Sequence, residues 1–171
     1  MKESAPNHYE RAFEIWLLDH RVKYVPIDDR KRCALGGSHL KNFDFLVYPA
    51  NGDIIIAEVK GRRFHGNSFT KLSGLECWVT TEDVDGLAAW QKALGTGYKG
   101  VFIFAHRSDK VDVDFDGRDV FDFDNCRYLF FAVGIDDYIR YMKQRSPKWR
   151  TVTLPAAEFR RCAAPIAELL L

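Results

Sequence analysis

The sequence predicts an α/β protein, and two observations carry the prediction. Aromatic and β-branched runs at residues 43–48 and 54–59 flank an Asn-Gly turn, which is a strong signal for an antiparallel hairpin. A helical pattern follows, and after it residues 98–105 form a nearly continuous apolar run, typical of a strand buried on both faces. A strand, a helix and a buried strand in this order indicate a βαβ crossover beside the hairpin.

Composition fits a folded protein. The 171 residues are 47% hydrophobic and 14% aromatic, which suffices for a buried core, fits one domain and argues against disorder. We see no apolar run long enough to span a membrane, and the polar residues 1–7 lack the core of a signal peptide. The four cysteines form no CxxC pair, so we expect reduced thiols and a cytoplasmic location rather than structural zinc.

The first predicted element is a helix over residues 7–20. Asn7 is its predicted N-cap, and Glu10 three residues later matches a capping acid. Apolar residues recur at helical spacing along one stripe, and Glu10 lies at the edge of that stripe. Glu10 therefore has two interpretations, an acid at the helix N-terminus or a side chain against the sheet. Residues 23–26 then form a short strand, and residues 28–39 a polar loop.

The register of the hairpin decides which polar side chains meet. A two-residue loop would turn Glu58 away from Asp44. A three-residue loop at residues 50–52 places Asp44 directly opposite Glu58, and Gly52 supplies the left-handed residue that ends such a loop. We predict this second register. Because strand side chains alternate, Lys60 then shares the face of Glu58.

The chemistry of this face depends on its two acids. In the predicted register Asp44 and Glu58 lie about 5 Å apart, where their charges repel unless a cation lies between them. Oxygen ligands of this kind suit a hard divalent ion such as Mg²⁺. Lys60 could hold a phosphate or an attacking water. The structural alternative is that Glu-x-Lys is a solvated strand face and that Asp44 simply ends a strand.

A long Gly- and Ser-containing loop, residues 61–77, follows the hairpin. Such a loop directly after a candidate site is a good place for substrate contacts. The residues we expect to make them are Arg62, Arg63, His65 and Lys71. Thr80 or Thr81 then caps a second helix, which carries Glu82 and Asp83 in its first turn and ends at Gly95.

Residues 109–124 are acidic, with seven aspartates against one lysine and one arginine. Aspartates at alternate positions resemble the start of a calcium loop, but Phe123 stands where the twelfth-position acid is needed. We therefore predict an exposed hairpin at residues 111–120. The remaining predicted elements are a buried strand at residues 127–134, a helix from Asp136 or Asp137 to Gln144, a strand at residues 149–154, and a helix from Pro155 that Pro165 interrupts.

The net charge of +1 says nothing about nucleic acid, but the distribution of basic residues says more. Basic clusters near a metal site suit a phosphate backbone. Each cluster is also compatible with an ordinary solvated face. The clusters are Arg21/Lys23, Arg30-Lys31-Arg32, Lys60/Arg62/Arg63, and residues 140–150.

Asp44 and the later Glu58-Val59-Lys60 resemble the signature of the PD-(D/E)XK nuclease superfamily, an acid on one strand and Glu/Asp-x-Lys on the next. The resemblance implies a restriction-endonuclease-like αβββαβ core, with a mixed central sheet flanked by helices. Element order and spacing are most similar to small archaeal Holliday junction resolvases, which also carry a glutamate on the first helix. The shared core would cover about residues 7–106, leaving a C-terminal β-hairpin and helices at residues 107–171.

The resemblance also implies an activity, Mg²⁺-dependent hydrolysis of DNA by an endonuclease, with Mn²⁺ as a substitute metal. Glu10, Asp44, Glu58 and Lys60 would be catalytic. Asp44, Glu58 and the backbone carbonyl of Val59 would bind metal, while Glu10 acts through a water or a second metal. Lys60 would orient the attacking water. A homodimer would supply the two active sites that a resolvase needs.

Two alternatives stay open at this stage. The first is a nucleic-acid-binding module that keeps the nuclease fold but does not cut. The second is a scaffold or interaction protein, for which Glu58 and Lys60 would face open solvent and Asp44 would lie elsewhere.

Overall fold

The computed structural model describes residues 7–28, 34–35 and 38–171. The basic cluster Arg30-Lys31-Arg32 and most of the predicted loop at residues 28–39 lie outside this part. The described helices are α1 (His8–Asp19), α2 (Thr81–Leu94), α3 (Ile135–Tyr141), α4 (Ala156–Cys162) and α5 (Ile166–Leu170). The described strands are β1 (Lys23–Pro26), β2 (Ala34–Leu35), β3 (Ser38–His39), β4 (Phe45–Tyr48), β5 (Ile54–Arg63), β6 (Val79–Thr80), β7 (Tyr98–Ser108), β8 (Phe121–Phe123), β9 (Cys126–Gly134), β10 (Lys143–Ser146), β11 (Thr151–Thr153) and β12 (Ala164–Pro165).

The centre of the fold is a mixed sheet. In the described residues it has seven strands in the order β1-β4-β5-β7-β9-β12, with β8 also paired to β9. The β1, β4 and β5 strands pair antiparallel, and β5 pairs parallel with β7 after the α2 crossover. The order α1, β1, β4, β5, α2, β7 confirms the predicted αβββαβ core. The sheet then continues, because β9 pairs antiparallel with β7.

Helices cover both faces of this sheet. On one face α1 and α5 bury Phe13, Leu17 and Ile166 against the sheet. On the other face α2, α3 and α4 contribute Leu87, Tyr138 and Phe159 to a second apolar cluster. These apolar faces follow from the helical spacing in the sequence and hold each helix on the sheet. No described helix is both long enough and apolar enough to cross a membrane.

The hairpin has the predicted register. Phe45 pairs with Ala57 and Leu46 with Ile56, and the same register extended by one residue sets Asp44 opposite Glu58. Gly52 has a φ of 91°, which lies in the left-handed region that the loop requires. The predicted register is confirmed, but the loop spans residues 49–53 and is longer than the predicted three residues.

Two later predictions are wrong, the hairpin at residues 111–120 and the length of the helix that follows β9. The exposed hairpin predicted at residues 111–120 does not form, because Val113 is buried in the apolar cluster and Phe115 stacks on Phe69. The hairpin instead joins β8 to β9. Its turn falls at Asp124 and Asn125, whose φ values of 49° and 59° suit a primed hairpin turn.

The helix predicted from Asp136 or Asp137 to Gln144 begins at Ile135 and is shorter than expected. It ends at Tyr141 because Met142 turns to an extended conformation and residues 143–146 pair with β11. With β6, these strands form a small antiparallel sheet in the order β10-β11-β6. This sheet adjoins α2, because β6 leads directly into the start of that helix.

Candidate active site

An open cavity of about 730 Å³ lies beside the start of α1, the residues before β4, and the middle of β5. Its lining includes all four side chains predicted to be catalytic: Glu10, Asp44, Glu58 and Lys60. Val59, whose backbone carbonyl is the predicted third metal ligand, also lines it. Residues that lie far apart in the sequence thus meet in one place.

Asp44 is held by its own backbone between two strands. Its N–H donates to the carbonyl of Ala57 at 3.0 Å, and its carbonyl accepts from the N–H of Ile27 at 2.9 Å. The carboxylate oxygen Oδ2 accepts from the N–H of Val59 at 2.6 Å. Burial and the negative charges of Glu58 and Glu10 raise the pKa of Asp44 well above its usual value. Asp44 is therefore a fixed carboxylate in surroundings that would favour a cation.

Glu58, the acid of the β5 strand, is almost fully enclosed. The residue is 6% exposed, although its neighbours on the same face line an open cavity. Its Oε1 accepts from Nζ of Lys60 at 2.8 Å and from Nζ of Lys41 at 2.9 Å. A buried carboxylate with two ammonium partners is a paired charge and not a solvated one.

Asp83 joins the same cluster from α2, and the sequence did not reveal this. Its Oδ1 forms ion pairs with Lys41 and with Lys60, the latter at 3.0 Å. Its Oδ2 accepts from the N–H of Thr80 at 2.9 Å, which completes a capping box at the helix start. Although burial opposes ionisation, Lys60 and Lys41 lower the pKa of Asp83 to about 2.

Lys41 is the other residue that sequence reasoning missed. It lies in a polar stretch before β4, and its ammonium bridges Glu58 and Asp83. Although burial disfavours its charge, these two carboxylates raise the pKa of Lys41 above its ordinary value. Its carbonyl accepts from the indole N–H of Trp90 at 2.9 Å, which fixes the backbone against α2.

Glu10 lies in the first turn of α1, at the edge of the cavity. Asn7 caps α1 as predicted, because its Oδ1 accepts from the N–H groups of Tyr9 and Glu10, both at 3.0 Å. The side-chain amide of Asn7 also donates to the carboxylate of Glu10. Gly61 fixes this helix end, since a Cβ at that position would overlap the ring of Tyr9. Glu10 is thus a first-turn acid that contacts the capping side chain and also lines the cavity.

The donor atoms of the cavity can be compared with the needs of a metal ion. Within the described residues, no group of three or more acidic, histidine or cysteine side chains is arranged to hold a metal. The predicted set is smaller, two carboxylates and one carbonyl. Its oxygen donors and the raised pKa of Asp44 fit a hard divalent cation that keeps several waters.

The predicted substrate contacts behave differently from the catalytic set. Arg62 lines the cavity, but its guanidinium lies 3.9 Å from the ring centroid of Trp78 and donates to backbone carbonyls of Gly61 and Trp78. Burial lowers the pKa of Arg62. These contacts fix the side chain beside the cavity and not within it.

The other three predicted contacts lie away from the cavity lining. Arg63 forms an ion pair with Asp109. His65 is exposed, and its carbonyl accepts from Nζ of Lys110 at 2.6 Å. Lys71 is exposed as well. The structure therefore does not bring Arg63, His65 or Lys71 together with the four catalytic candidates.

Comparison with known proteins gives one kind of likeness. No protein-family model matches the sequence, and no curated protein matches it. Among solved structures, the chain is similar to Hjc, a Holliday junction resolvase from the archaeal hyperthermophile Archaeoglobus fulgidus. The TM-score is 0.55 at 10% sequence identity, over 97% of this chain and 100% of that chain. The likeness shows a restriction-endonuclease-like fold.

Proposed function

We propose that this chain is a divalent-metal-dependent DNA endonuclease of the PD-(D/E)XK type. The observation that carries the proposal is the meeting of Asp44, Glu58 and Lys60 on one face of the hairpin, with Glu10 beside them in one open cavity. The fold shared with a resolvase supports a nuclease in general. The chain would act as a single domain in the cytoplasm, with DNA as its substrate.

Asp44, Glu58 and the carbonyl of Val59 would hold Mg²⁺ or Mn²⁺. When bound, such an ion lowers the pKa of a coordinated water and neutralises phosphate charge. Both lysine ammonium groups contact Oε1 of Glu58, so Oε2 would be the oxygen available to a metal. Glu10 would act through a water or a second metal.

Lys60 would orient the attacking water and stabilise charge on the phosphate. An ammonium group has three N–H donors. Glu58 and Asp83 take two of those of Lys60, at 2.8 and 3.0 Å, and the third can bind a phosphate oxygen or a water. The two carboxylates thus orient Lys60 without using all of its hydrogen-bonding capacity.

A second candidate is the non-catalytic nucleic-acid-binding module with the same fold. Two observations favour it: Glu58 is already neutralised by lysines, and the described residues contain no group of three acidic, histidine or cysteine side chains placed for a metal. The scaffold alternative has less support. It expects Glu58 in open solvent and Asp44 elsewhere, whereas Glu58 is 6% exposed and Asp44 lines the same cavity.

Cleavage of labelled DNA tests the proposal. The substrates are linear duplex, single strand, flap and four-way junction, each with Mg²⁺ or Mn²⁺. We expect the wild type to cut at least one of them and Lys60→Ala to lose the cutting. Lys92→Ala is the matched control, because Lys92 lies in the last turn of α2, at the opposite end of the helix from Asp83.

The possible results of this assay distinguish the two candidate functions. Cutting that only Lys60→Ala abolishes supports the nuclease. DNA binding with no cutting of any substrate favours the non-catalytic module. Paired nicks in the four-way junction would indicate a homodimer, since the described residues of one chain form one cavity that contains the four catalytic candidates and two strands must be cut.

A further inference from the structure

The structure assigns a DNA-docking surface to residues 143–150, which comprise β10 and the turn that follows it. We name this segment the basic turn. We propose that its cations bind the phosphate backbone of DNA beside the cavity and that Trp149 at its tip stacks on an unpaired base. The inference rests on the proposed function, because it assigns the substrate of that same site a second contact.

The charge of the basic turn is of one sign. Its eight residues, KQRSPKWR, contain four cations and no acid. Lys143, Arg145, Lys148 and Arg150 are all exposed. Within residues 7–28, 34–35 and 38–171, none of the four forms an ion pair with a carboxylate. Unneutralised cations in a row are what counterion release from DNA requires.

One of these cations lies at a β-bulge and contacts Trp78, beside the cavity. The pairing of β10 with β11 shifts register between Gln144 and Ser146, so Arg145 is the extra residue of the edge strand. Bulges commonly redirect a side chain. The guanidinium of Arg145 lies 5.0 Å from the ring centroid of Trp78, and that of Arg62 lies 3.9 Å from the same centroid. Because Arg62 lines the cavity, cationic groups lead from the basic turn to its edge.

The turn is also fastened to an element of the site. The carbonyl of Arg150 accepts from the N–H of Thr81 at 2.9 Å, at the start of α2. Two residues further along that helix, Asp83 binds Lys41 and Lys60. The position of the basic turn relative to the catalytic candidates is therefore set by a direct backbone hydrogen bond.

Trp149 gives the surface an apolar component. Its residue is 68% exposed, and Nζ of Lys148 lies 5.2 Å from the ring centroid. A large exposed aromatic ring beside cations suits stacking on an unpaired base, since bases present apolar π faces next to charged phosphates. This combination favours DNA with a single-stranded portion over an uninterrupted duplex.

The basic residues near the acidic residues 109–124, by contrast, have partners within the chain. Arg63 and Arg107 both pair with Asp109. Lys110 donates to the carbonyl of His65 at 2.6 Å. These charges are engaged within the chain, which makes residues 143–150 the better phosphate surface.

The test compares two triple variants that lose the same charge. The first is Lys143→Gln, Arg145→Gln and Lys148→Gln in the basic turn. Arg150 is left intact because its side chain shares a depression with Glu82 and Asp85. The control is Lys23→Gln, Lys92→Gln and Lys99→Gln. These control residues are exposed. Lys23 belongs to a basic cluster noted in the sequence, but Lys23 and Lys99 pair with Tyr48 and Ile55, at the other end of the sheet from the cavity, so neither is expected to contact DNA bound there.

The readout is the affinity for a fluorescein-labelled duplex with a single-stranded overhang, measured in EDTA over a range of salt concentrations. We expect the basic-turn variant to bind at least about tenfold more weakly than the wild type. The slope of the logarithm of the binding constant against the logarithm of the salt concentration should fall in magnitude by about two to three, about one for each lost phosphate contact. The control should bind within about twofold of the wild type. Equal losses in both variants, or none in the first, overturn the inference.

Trp149→Ala adds a test of the tip. We expect this substitution to weaken binding of the overhang DNA about tenfold and binding of a blunt duplex about twofold, because stacking needs an unpaired base. Equal effects on both DNAs contradict the stacking role. Should the triple variant fail to fold, Lys143→Gln/Lys148→Gln keeps the Arg145–Trp78 contact and gives the same comparison.

Metal-free binding separates this inference from the proposed function. A wild type that binds DNA through residues 143–150 yet never cuts it supports the docking surface and refutes the nuclease. A wild type that cuts while the basic-turn variant binds and cuts equally well refutes the docking surface alone. A wild type that binds anionic vesicles but no DNA overturns the assignment of DNA as the partner.

Discussion

Two aspartates on either side of Glu58 have opposite properties. Burial and the nearby Glu58 and Glu10 raise the pKa of Asp44, whereas Lys60 and Lys41 lower the pKa of Asp83 to about 2 although burial opposes its ionisation. The Asp83 side has two ammonium groups within ion-pair distance. The Asp44 side has carboxylates as its charged neighbours, apart from a smaller favourable effect of Lys60.

The contrast indicates where the cavity would use a metal. On the Asp83 side the protein supplies its own cations, so that side is a structural ion-pair cluster. On the Asp44 side the carboxylates repel one another, and a bound cation would relieve this repulsion. We therefore expect Asp44 to matter for catalysis and little for folding, and Asp83 to matter for folding first. The predictions below test this difference, from the largest expected effect to the smallest.

The largest effect should come from Asp44→Asn on cleavage. The change keeps the shape of the side chain but removes the charge proposed to hold the metal, so we expect the cleavage rate to fall at least about a hundredfold. Initial rates on the preferred DNA substrate measure this. Asp53→Asn is the control, because Asp53 lies at the other end of the hairpin, where it pairs with Lys99. An Asp44→Asn enzyme within tenfold of the wild type would refute the assignment.

Gly61→Ala should be the most destabilising small change near the cavity. Its Cβ would overlap the ring of Tyr9, so α1 and with it Glu10 must shift. We expect a loss of about 2–3 kcal/mol in the free energy of unfolding, typical of overpacking. Urea denaturation measures it. Tyr9→Ala in the same chain should recover part of the loss, and strict additivity of the two changes would contradict the proposed contact.

Asp83→Asn should cost about 2 kcal/mol of stability, because a pKa lowered to about 2 corresponds to roughly that much ion-pair and capping energy. Glu82→Gln changes the neighbouring acid in the same helix turn and controls for the helix dipole. The difference in the free energy of unfolding between the two variants, measured by urea denaturation at neutral pH, gives the contribution of the ion pairs that Asp83 forms with Lys41 and Lys60. Similar losses in both would assign the energy to the helix end and not to Lys41 and Lys60.

The ion pairs of Asp83 with Lys41 and Lys60 also predict that the stability of the fold depends on pH. The folded-state pKa of Asp83 lies below that of the unfolded chain, so its contribution is fully present above about pH 4 and is lost as pH falls toward 2. The stability difference between the wild type and Asp83→Asn should therefore shrink over this interval. Denaturation curves at stepped pH measure the difference, and a gap that stays constant down to pH 2 would argue against an ionised Asp83.

The smallest effect should be a gain in the free energy of unfolding. Without metal, Asp44→Asn removes a buried charge that burial and two acids disfavour, while the amide oxygen can still accept from the N–H of Val59. We expect the metal-free variant to be about 1 kcal/mol more stable than the wild type at neutral pH. Thermal denaturation in EDTA measures this. A clear loss of stability would show that the Asp44 charge is already compensated within the chain.

Local patterns were enough to predict the framework of this cavity. The Asn7 cap and the apolar stripe place Glu10, and the pattern around a turn that contains Gly52 predicts the hairpin register that sets Asp44 opposite Glu58. These features depend on neighbours close in sequence, where spacing and turn chemistry determine geometry. The same reasoning gave the αβββαβ order that the structure confirms.

Residues brought in by tertiary packing were not predictable in this way. Lys41 belongs to a polar stretch without periodicity, and Asp83 has a sufficient explanation as a first-turn acid. Their ion pairs exist because the start of α2 lies against the same face of β5 as Glu58. The expected hairpin at residues 111–120 failed for a related reason, since burial of Val113 outweighs the alternating pattern.

Binding of Mn²⁺ by isothermal titration calorimetry tests the central claim, that the Asp44 side of the cavity is the metal site, most directly. We predict that the wild type and Asp83→Asn both bind Mn²⁺ and that Asp44→Asn binds at least about tenfold more weakly, because it lacks the charged oxygen ligand. Tight binding that survives Asp44→Asn, or no binding by the wild type, would contradict the account.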